Sequence, residues 1–579
     1  MSKLLSQLAL LCALTLATGR ALLPAQQPDT SRDSATTAAT SAPADPPERT
    51  PASAKHIGSP FVELDSWVYP ALLRLAALGY IHSEFSDMRP WARMNCALLL
   101  EEAASNLDVD PSGSSAEAQR LYSTLRQEFL PELAVLEGAH NEPSIRLESM
   151  YSILTGISGT PLNDSYHFGQ TIINNYGRPY QQGFNTYDGY SGYADAGSFT
   201  IYSRGEFQHA PSAPAYPLAV RQVIASADDN PLQPAAPIAT TNQFTLLDTY
   251  TALDLSGWNL SVGKQSLWWA PNYGGAFPFS NNAEPIYMAR LNQIAPFKFP
   301  WIFRYLGLTK LDFFLGTLSG NESPPHPLLH GEKISFKLTR NLELSFSRTG
   351  EFAGQGRALT LGALFHTYFS FQSSASYSSS QNPGERNGGF DFSYRIPGLR
   401  NWMTLYGDFM SRDDPSPVDA PRRASWSPGL YLAWLPFLPK LDFRLEGVNT
   451  DPPSSPARNG QFDYWEGFYH DLNTNQNNLI GDWIGREGTG IQAWSTYWFT
   501  PKNTLQFAYR HAKVDPRFIP YGETLNDAAV SLNRWVRDDL QLTGLLQYEK
   551  WDAPLLAPAP QANWTTSVTV TFWPKSLKP

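Results

Sequence analysis

The hydrophobic pattern along the chain changes its period near residue 144. Beyond that point apolar and polar positions alternate, most clearly in the last segment, NWTTSVTVTFW, where Trp564, Val568 and Phe572 share one face. The opposite face, from Thr565 to Thr571, carries only Ser and Thr. Strands of membrane barrels place apolar side chains toward lipid and polar ones toward a wet lumen. The pattern therefore predicts an all-β barrel of antiparallel strands over residues 144–579.

The connections between these predicted strands alternate between short and long. The turns at 340–341 and 500–503 are short, whereas 349–387 and 450–489 are long. Transmembrane barrels have short periplasmic turns and longer outer loops, and a β-sandwich gives no reason for this parity. We therefore predict a transmembrane outer-membrane barrel of about 18 strands, in which 268–284 lies at the extracellular end or folds inward from it.

A helical period precedes the strands. Apolar residues recur at helical spacing in SWVYPALLRLAALGYI, PWARMNCALLLEEAASNL and SAEAQRLYSTLRQEFLPELAVL, which predicts a small periplasmic three-helix bundle over 56–140. Residues 26–55 are rich in Pro, Ala, Ser and Thr and contain no aromatic residue, so they are predicted as a disordered leader. Residues 1–25 carry Lys3, an apolar run and small residues, as in a secretory signal peptide.

The amino-acid composition further limits the class of protein and its partners. The formal net charge of -10 is opposite to that of a nucleic-acid groove, so no nucleic-acid partner is predicted. Aromatic residues make up 13% of the chain, as the interfacial girdles of a membrane barrel require. Beyond the predicted signal peptide no apolar run reaches the length of a membrane helix, and Cys96 is the only cysteine, so no internal disulfide is expected.

Candidate chemistry is concentrated in two aromatic loops. The sequence contains no GxSxG, P-loop, HExxH or zinc-type cysteine pair, so neither catalysis nor a cofactor or metal is predicted. Sugars present apolar C–H faces and many hydroxyls, and their sites combine flat rings with carboxylates, amides and guanidinium groups. The candidate carbohydrate-binding residues in FDYWEGFYHDLNTNQNNLIGDWIGREG are Asp463, Tyr464, Trp465, Tyr469, Asn475, Asp482 and Arg486.

The second aromatic loop is SLWWAPNYGGAFPFSNNAEP. Its candidate carbohydrate-binding residues are Trp268, Trp269, Tyr273, Asn281 and Asn282. The same rings have a second interpretation, in which they pack inward and help to close the barrel. The acidic residues of the longer loop also leave a surface glycosidase open as an alternative, because such enzymes use a pair of carboxylates.

Several of these segments resemble one protein family. VGKQSLWWAPNYGGAFPFSNNAEP, GEKISFKLTRNLELSFSRTGEFAGQG and LIGDWIGREGTGIQAWSTYWFTPKNTLQFAYRHAKVDPRFIPYGET are similar, in order and spacing, to blocks of the capsule assembly Wzi family. TIINNYGRPYQQGFN and SFTIYSRGEFQ resemble its early barrel region. The resemblance implies an outer-membrane lectin that anchors capsular polysaccharide or exopolysaccharide, with outer-membrane lipid around it, and without catalysis or a cofactor.

The helical region carries a second resemblance, to a single S-layer homology module. The residues that match such modules are Asp65, Trp67, Gly79, Arg89, Pro90 and Arg93. This implies contact with peptidoglycan or another periplasmic wall polymer. It also supports an alternative function, a diffusion porin tethered to the wall, which differs from a lectin in having an open lumen.

Overall fold

The computed structural model describes residues 58–109, 116–372, 374–399, 402–412, 423–452 and 459–574. The predicted signal peptide (1–25) and leader (26–55) lie outside these ranges. Within them, no helix has both the length and the apolar character needed to cross a membrane.

Long antiparallel strands dominate the described chain. They belong to one sheet of 19 strands, and because one of these, Phe297–Lys298, is only two residues long, the other 18 form the wall. In chain order the wall strands are β1 Ser144–Ser158, β2 Gly183–Ala196, β3 Phe199–Ala210, β4 Thr241–Leu255, β5 Trp258–Gln265, β6 Ile286–Gln293, β7 Leu308–Thr317, β8 Leu328–Thr339, β9 Leu342–Phe352, β10 Glu385–Arg395, β11 Met403–Arg412, β12 Ser425–Leu432, β13 Leu441–Asn449, β14 Gly488–Thr500, β15 Asn503–Val514, β16 Glu523–Arg537, β17 Leu540–Asp552 and β18 Gln561–Phe572.

The sheet closes on itself. β1 pairs antiparallel with β2 on one side and with β18 on the other, in a register that runs from Met150 opposite Phe572 to Ser158 opposite Trp564. In β18 the side chains of Trp564 and Val568 are 50% and 45% exposed, whereas Thr565 is fully buried. The predicted closed barrel of antiparallel strands is therefore confirmed, together with the outward face read from the alternation in its last strand.

The two ends of the barrel differ in their connections. One end, here the short-turn end, carries tight turns such as 197–198, 340–341 and 538–539. The other, the long-loop end, carries connections such as 353–384 and 450–487. Short turns face the periplasm in membrane barrels, so the long-loop end faces the cell exterior.

Helices make up the N-terminal part and two loops. They are α1 Val68–Ala77, α2 Arg93–Val109, α3 Ala116–Glu128, α4 Leu130–Leu136, α5 Leu218–Asp228 and α6 Leu361–Phe369. Three N-terminal helices were expected, but the third is broken between α3 and α4. Pro131 lies in the first turn of α4, where it lacks an N–H and its ring obstructs the preceding turn, so the helix restarts there.

The helical module, α1–α4, packs around one apolar core. Leu72, Leu75, Leu100 and Leu125 are each at most 1% exposed. Cys96 is fully buried in the same core, and burial raises the pKa of its thiol to about 12. The thiol therefore packs as a small apolar group in α2.

The helical module lies against the inner face of the wall at the short-turn end. Arg395 of β10 donates to the carbonyl oxygens of Ala76 and Ile81 at 2.7 and 2.8 Å. Lys333 of β8 bonds to Asp391 of β10 at 2.6 Å and lies 3.2 Å from Asp87 of the module. These buried hydrogen bonds and ion pairs fix the helical module inside the lumen.

Candidate functional site

Three long connections fold into the barrel at the long-loop end. We call residues 159–182, 266–285 and 459–487 the inner cap. The segments bond to one another through backbone groups: Ser280 donates to Ile480 at 2.8 Å, and Tyr176 donates to Asn281 at 2.6 Å. The Tyr166 hydroxyl donates to the Tyr464 carbonyl at 2.6 Å. The inner cap is thus one bonded layer across the mouth of the barrel.

The inner cap meets the helical module directly inside the lumen. Arg89 and Trp268 exchange two backbone hydrogen bonds, each 3.0 Å long. The Arg89 guanidinium donates to the carbonyl oxygens of Ala270 and Asn272, both at 3.0 Å, and lies 4.9 Å from the centre of the Trp268 ring. Module and inner cap therefore form a continuous plug.

The aromatic rings of the stretch SLWWAPNYGGAFPFSNNAEP pack inward, in agreement with the second interpretation given for them above. Trp269 is fully buried, with its ring 5.1 Å from Phe279 and 5.6 Å from Phe314. Tyr273 is half-buried, 5.1 Å from the Trp494 ring and 5.1 Å from the Arg444 guanidinium. These contacts leave the rings inside the plug.

The candidate asparagines connect segments of the long-loop end. Asn282 accepts from the Asn174 backbone at 2.7 Å and donates to the Gly481 carbonyl at 2.9 Å. Asn475 donates to the Glu284 carbonyl at 2.9 Å. Asn281 is 6% exposed and bonds Tyr176 through its carbonyl, as given above. The side-chain amides of Asn282 and Asn475 and the backbone carbonyl of Asn281 thus hold the loops together.

Most candidates of the longer loop are also internal. Asp463 is 1% exposed and accepts from the Ser425 hydroxyl at 2.5 Å, and Asp482 is 2% exposed and accepts from the Ile484 backbone at 3.1 Å. Burial raises the pKa of these carboxyls to about 7 and about 8. Tyr464 and Tyr469 are buried, and their hydroxyls donate to the carbonyls of Phe277 and Ala353. Neither buried carboxyl forms part of an open glycosidase cleft.

Arg486 belongs to a chain of ion pairs that ties the inner cap to α5. Its guanidinium lies 2.6 Å from Asp228, and His167 lies 2.9 Å from both Asp228 and Asp164. Burial alone would lower the pKa of His167, but the carboxylates of Asp164 and Asp228 outweigh it and raise the pKa to about 10. His167 is therefore charged at neutral pH.

One candidate, Trp465, reaches the surface of the long-loop end. Its indole N–H donates to the Asp228 carbonyl at 3.1 Å, and its ring stacks on His470 with centres 5.5 Å apart and planes 18° apart. We call its surroundings the Trp465 patch, which consists of Trp465, Glu466, Phe468, His470, Asn230 and Arg357.

The Trp465 patch is held in place from three different loops. The Arg357 guanidinium lies 3.4 Å from the centre of the Phe468 ring, and His470 bonds the Asn230 amide at 2.9 Å. Glu466 accepts from the Phe468 backbone at 2.8 Å, which fixes the turn. Sequence reasoning missed Asn230 and Arg357, since both reach the patch from loops far away along the chain.

The described residues do not form a metal-binding cluster. Across the described ranges, no group of three or more His, Cys, Asp or Glu side chains is arranged to hold a metal ion. The Trp465 patch instead offers two ring systems, a guanidinium, a carboxylate and one side-chain amide on one surface.

Comparisons with known proteins agree with this architecture. The profile of the family described as Capsule assembly protein Wzi matches residues 154–566. An uncharacterized 55.8 kDa protein in the cps region of Klebsiella pneumoniae is 25% identical over 183 residues, which are 31% of this chain and 35% of that protein. The match thus spans about a third of the Klebsiella protein.

One solved structure with a TM-score above 0.5 has the same fold. Wzi, an outer membrane protein involved in group 1 capsule assembly in Escherichia coli and a carbohydrate-binding β-barrel, superposes with a TM-score of 0.65 at 16% identity, over 90% of this chain and 100% of that one. Pseudomonas aeruginosa OprD gives a TM-score of 0.39 at 11% identity, over 74% of this chain and 95% of that one. Since the family profile covers most of the barrel, this chain belongs to the capsule assembly Wzi family of outer-membrane β-barrels.

Proposed function

We propose that this protein is a non-enzymatic lectin of the outer membrane, which binds capsular polysaccharide or exopolysaccharide at the Trp465 patch and retains it at the cell surface during capsule assembly. The observation that carries the proposal is the patch itself. It is a ring surface at the outward end of the barrel, held by contacts from α5, the 353–384 connection and the inner cap.

The chemistry of the patch suits a sugar. The parallel stack of Trp465 on His470 holds the partly exposed indole in a fixed plane, and a fixed aromatic plane is what the C–H face of a pyranose stacks on. Arg357, Glu466 and Asn230 supply charged and amide groups close to those rings, and such groups pair with sugar hydroxyls in planar sets.

The family assignment supports the same function. The E. coli barrel that this chain superposes on is a carbohydrate-binding protein of capsule assembly. The plug argues against the alternative of a wall-tethered porin, because the helical module and the inner cap bond to each other inside the lumen. Arg89 and Arg93, two of the six residues on which the S-layer resemblance rests, bond within the chain, so our proposal does not extend to peptidoglycan.

The test replaces the two surface rings together, Trp465→Ala with Phe468→Ala. Tyr469 is unsuited to this purpose, because it is 2% exposed and its loss would disturb the inner cap. Central aromatic contacts contribute about 1–2 kcal/mol each to binding, so the double variant should bind purified capsule at least about 30-fold more weakly and release capsule into the medium.

A matched control is Tyr521→Ala, which removes an 81% exposed ring from another connection at the long-loop end. We expect this variant to retain capsule as the parent does. Normal capsule retention and glycan binding by the double variant, at an unchanged level of inserted barrel, would exclude the Trp465 patch as the binding surface.

A further inference from the structure

The 353–384 connection, which carries α6, turns back over the outside of the wall. Lys333 of β8 points into the lumen toward Asp87. Since side chains alternate along a strand, the even-numbered residues of β8, including His330, face outward. Glu343 of β9 and Asp391 of β10 form ion pairs with lysines that point into the lumen. Since side chains alternate along these strands as well, Arg348 of β9 and Arg386 of β10 face outward. An outward arginine on a membrane barrel needs a partner that shields it from lipid.

The connection provides that shield. Arg348 donates to the carbonyl oxygens of Tyr368 and Ser370, and Arg386 donates to Ser370 at 2.7 Å. The Tyr368 ring lies 4.6 Å from the His330 ring, which is fully buried although it faces outward. α6 and the residues after it therefore lie against the outer face of β8, β9 and β10.

The two faces of α6 have opposite surroundings. Ala363 and Thr367 are buried on the side toward the wall. On the other side Leu361, Phe365 and Phe369 recur every fourth residue and are 86%, 58% and 40% exposed. Leu359 and Phe371 extend this exposed apolar surface at both ends of the helix.

We infer that α6 is seated in the outer leaflet of the membrane, with Leu361, Phe365 and Phe369 in contact with lipid acyl chains. The exposed face of the helix continues the apolar outer surface of β9 and β10, where Phe346 and Phe390 pack 5.4 Å apart. A helix of nine residues spans only about 14 Å, so it lies along the wall and does not cross the bilayer.

The charge distribution supports a lipid neighbour over water. Arg348 and Arg386 bond to the connection, while the face of α6 turned away from the wall is apolar. A loop exposed to water would have no reason to cover arginines and display phenylalanines. The connection thus covers two outward arginines and, along α6, presents an apolar face that fits the bilayer.

The experiment measures the surroundings of Phe365 by spin labelling. Phe365→Cys is made in a Cys96→Ser background, labelled with a nitroxide and reconstituted in phosphatidylcholine vesicles. Leu546→Cys, on the outer face of β17, is the lipid-facing reference. Gly467→Cys is the aqueous reference, because Gly467 is exposed and a Cβ there meets no atom within 4 Å.

The quantity compared is the ratio of collisions with oxygen to collisions with a water-soluble nickel chelate. We expect the ratio at residue 365 to match that at residue 546 and to exceed that at residue 467 several-fold. A ratio equal to that at residue 467 would overturn the inference. So would spin–spin broadening that grows with protein density, since it would show a second copy of the chain on this face.

A labelled variant that fails to form a heat-resistant barrel is replaced by Leu361→Cys, on the same exposed face. The measurement does not depend on glycan binding, so its result is separate from that of the proposed function.

Discussion

The contact between Arg89 and the inner cap is the sharpest test of the plugged lumen. Arg89→Ala removes a guanidinium that donates to Ala270 and Asn272, both at 3.0 Å, and that lies over the Trp268 ring. Arg89 is 6% exposed, so water does not replace these bonds without opening the plug. The backbone pair between residues 89 and 268 remains in the variant.

The size of the effect follows from these contacts. A hydrogen bond from a charged donor contributes about 1.5–3 kcal/mol, and a buried cation–π contact contributes about 1–2 kcal/mol. Because the two carbonyls share one nitrogen of the guanidinium, the lower end of each range applies, and we expect a total loss of about 2.5 kcal/mol. The equilibrium constant for separating the inner cap from the helical module should then rise about 60-fold.

The assay is single-channel conductance in planar bilayers, together with limited proteolysis of the inserted protein. We expect the parent to be silent and Arg89→Ala to show brief openings and faster cleavage within 459–487. Arg89→Lys, which keeps the charge but loses the planar fork, should lie between them. Large steady currents from the parent, or an unchanged silent and resistant Arg89→Ala barrel, would refute the account of the plug.

Three further predictions concern the ion pairs and the wall. Asp228→Asn leaves Arg486 and His167 without their shared carboxylate, which should cost about 3 kcal/mol and speed cleavage at 459–487, as limited proteolysis will show. Raising the pH should loosen the inner cap, because the raised pKa of His167 stabilises the folded protein below about pH 6.5. This stabilisation is lost as the pH rises toward about 10. The raised pKa values of Asp463 and Asp482, about 7 and about 8, act in the same direction, so greater protease sensitivity at about pH 6 than at about pH 9 would contradict this. Val568→Lys, on the lipid face of β18, should cost about 2–4 kcal/mol in urea unfolding from vesicles, whereas Thr569→Lys on the lumen side should cost less.

The wall could be predicted because its signal is local. In β18 every second residue from Trp564 to Phe572 faces lipid, and a strand has no other way to place alternate side chains. The parity of loop lengths gave the direction of the strands, since only one end of such a barrel faces the periplasm. The break at Pro131 was not predicted, because the helical spacing of apolar residues continues across it.

The candidate site could be predicted only in part. Asp463 and Asp482 have the composition of a sugar site, yet both carboxyls are buried, because the inner cap folds into the lumen. Trp465 lies only one position beyond Tyr464, which is buried, and the sequence carries no period in this loop that separates the two. Loop side chains lack the strict alternation of a strand, so their exposure depends on what they meet.

An antiparallel barrel, the lipid-facing side of its last strand and an N-terminal helical region could all be predicted from the amino-acid sequence, because they follow from periodicity and turn spacing. Three features became visible only in the folded chain: Trp268 and Trp269 close the lumen, α6 lies outside the wall, and Asn230 and Arg357 join Trp465 on one surface. Each of these features depends on contacts between segments distant in the chain, which no local pattern of residues records.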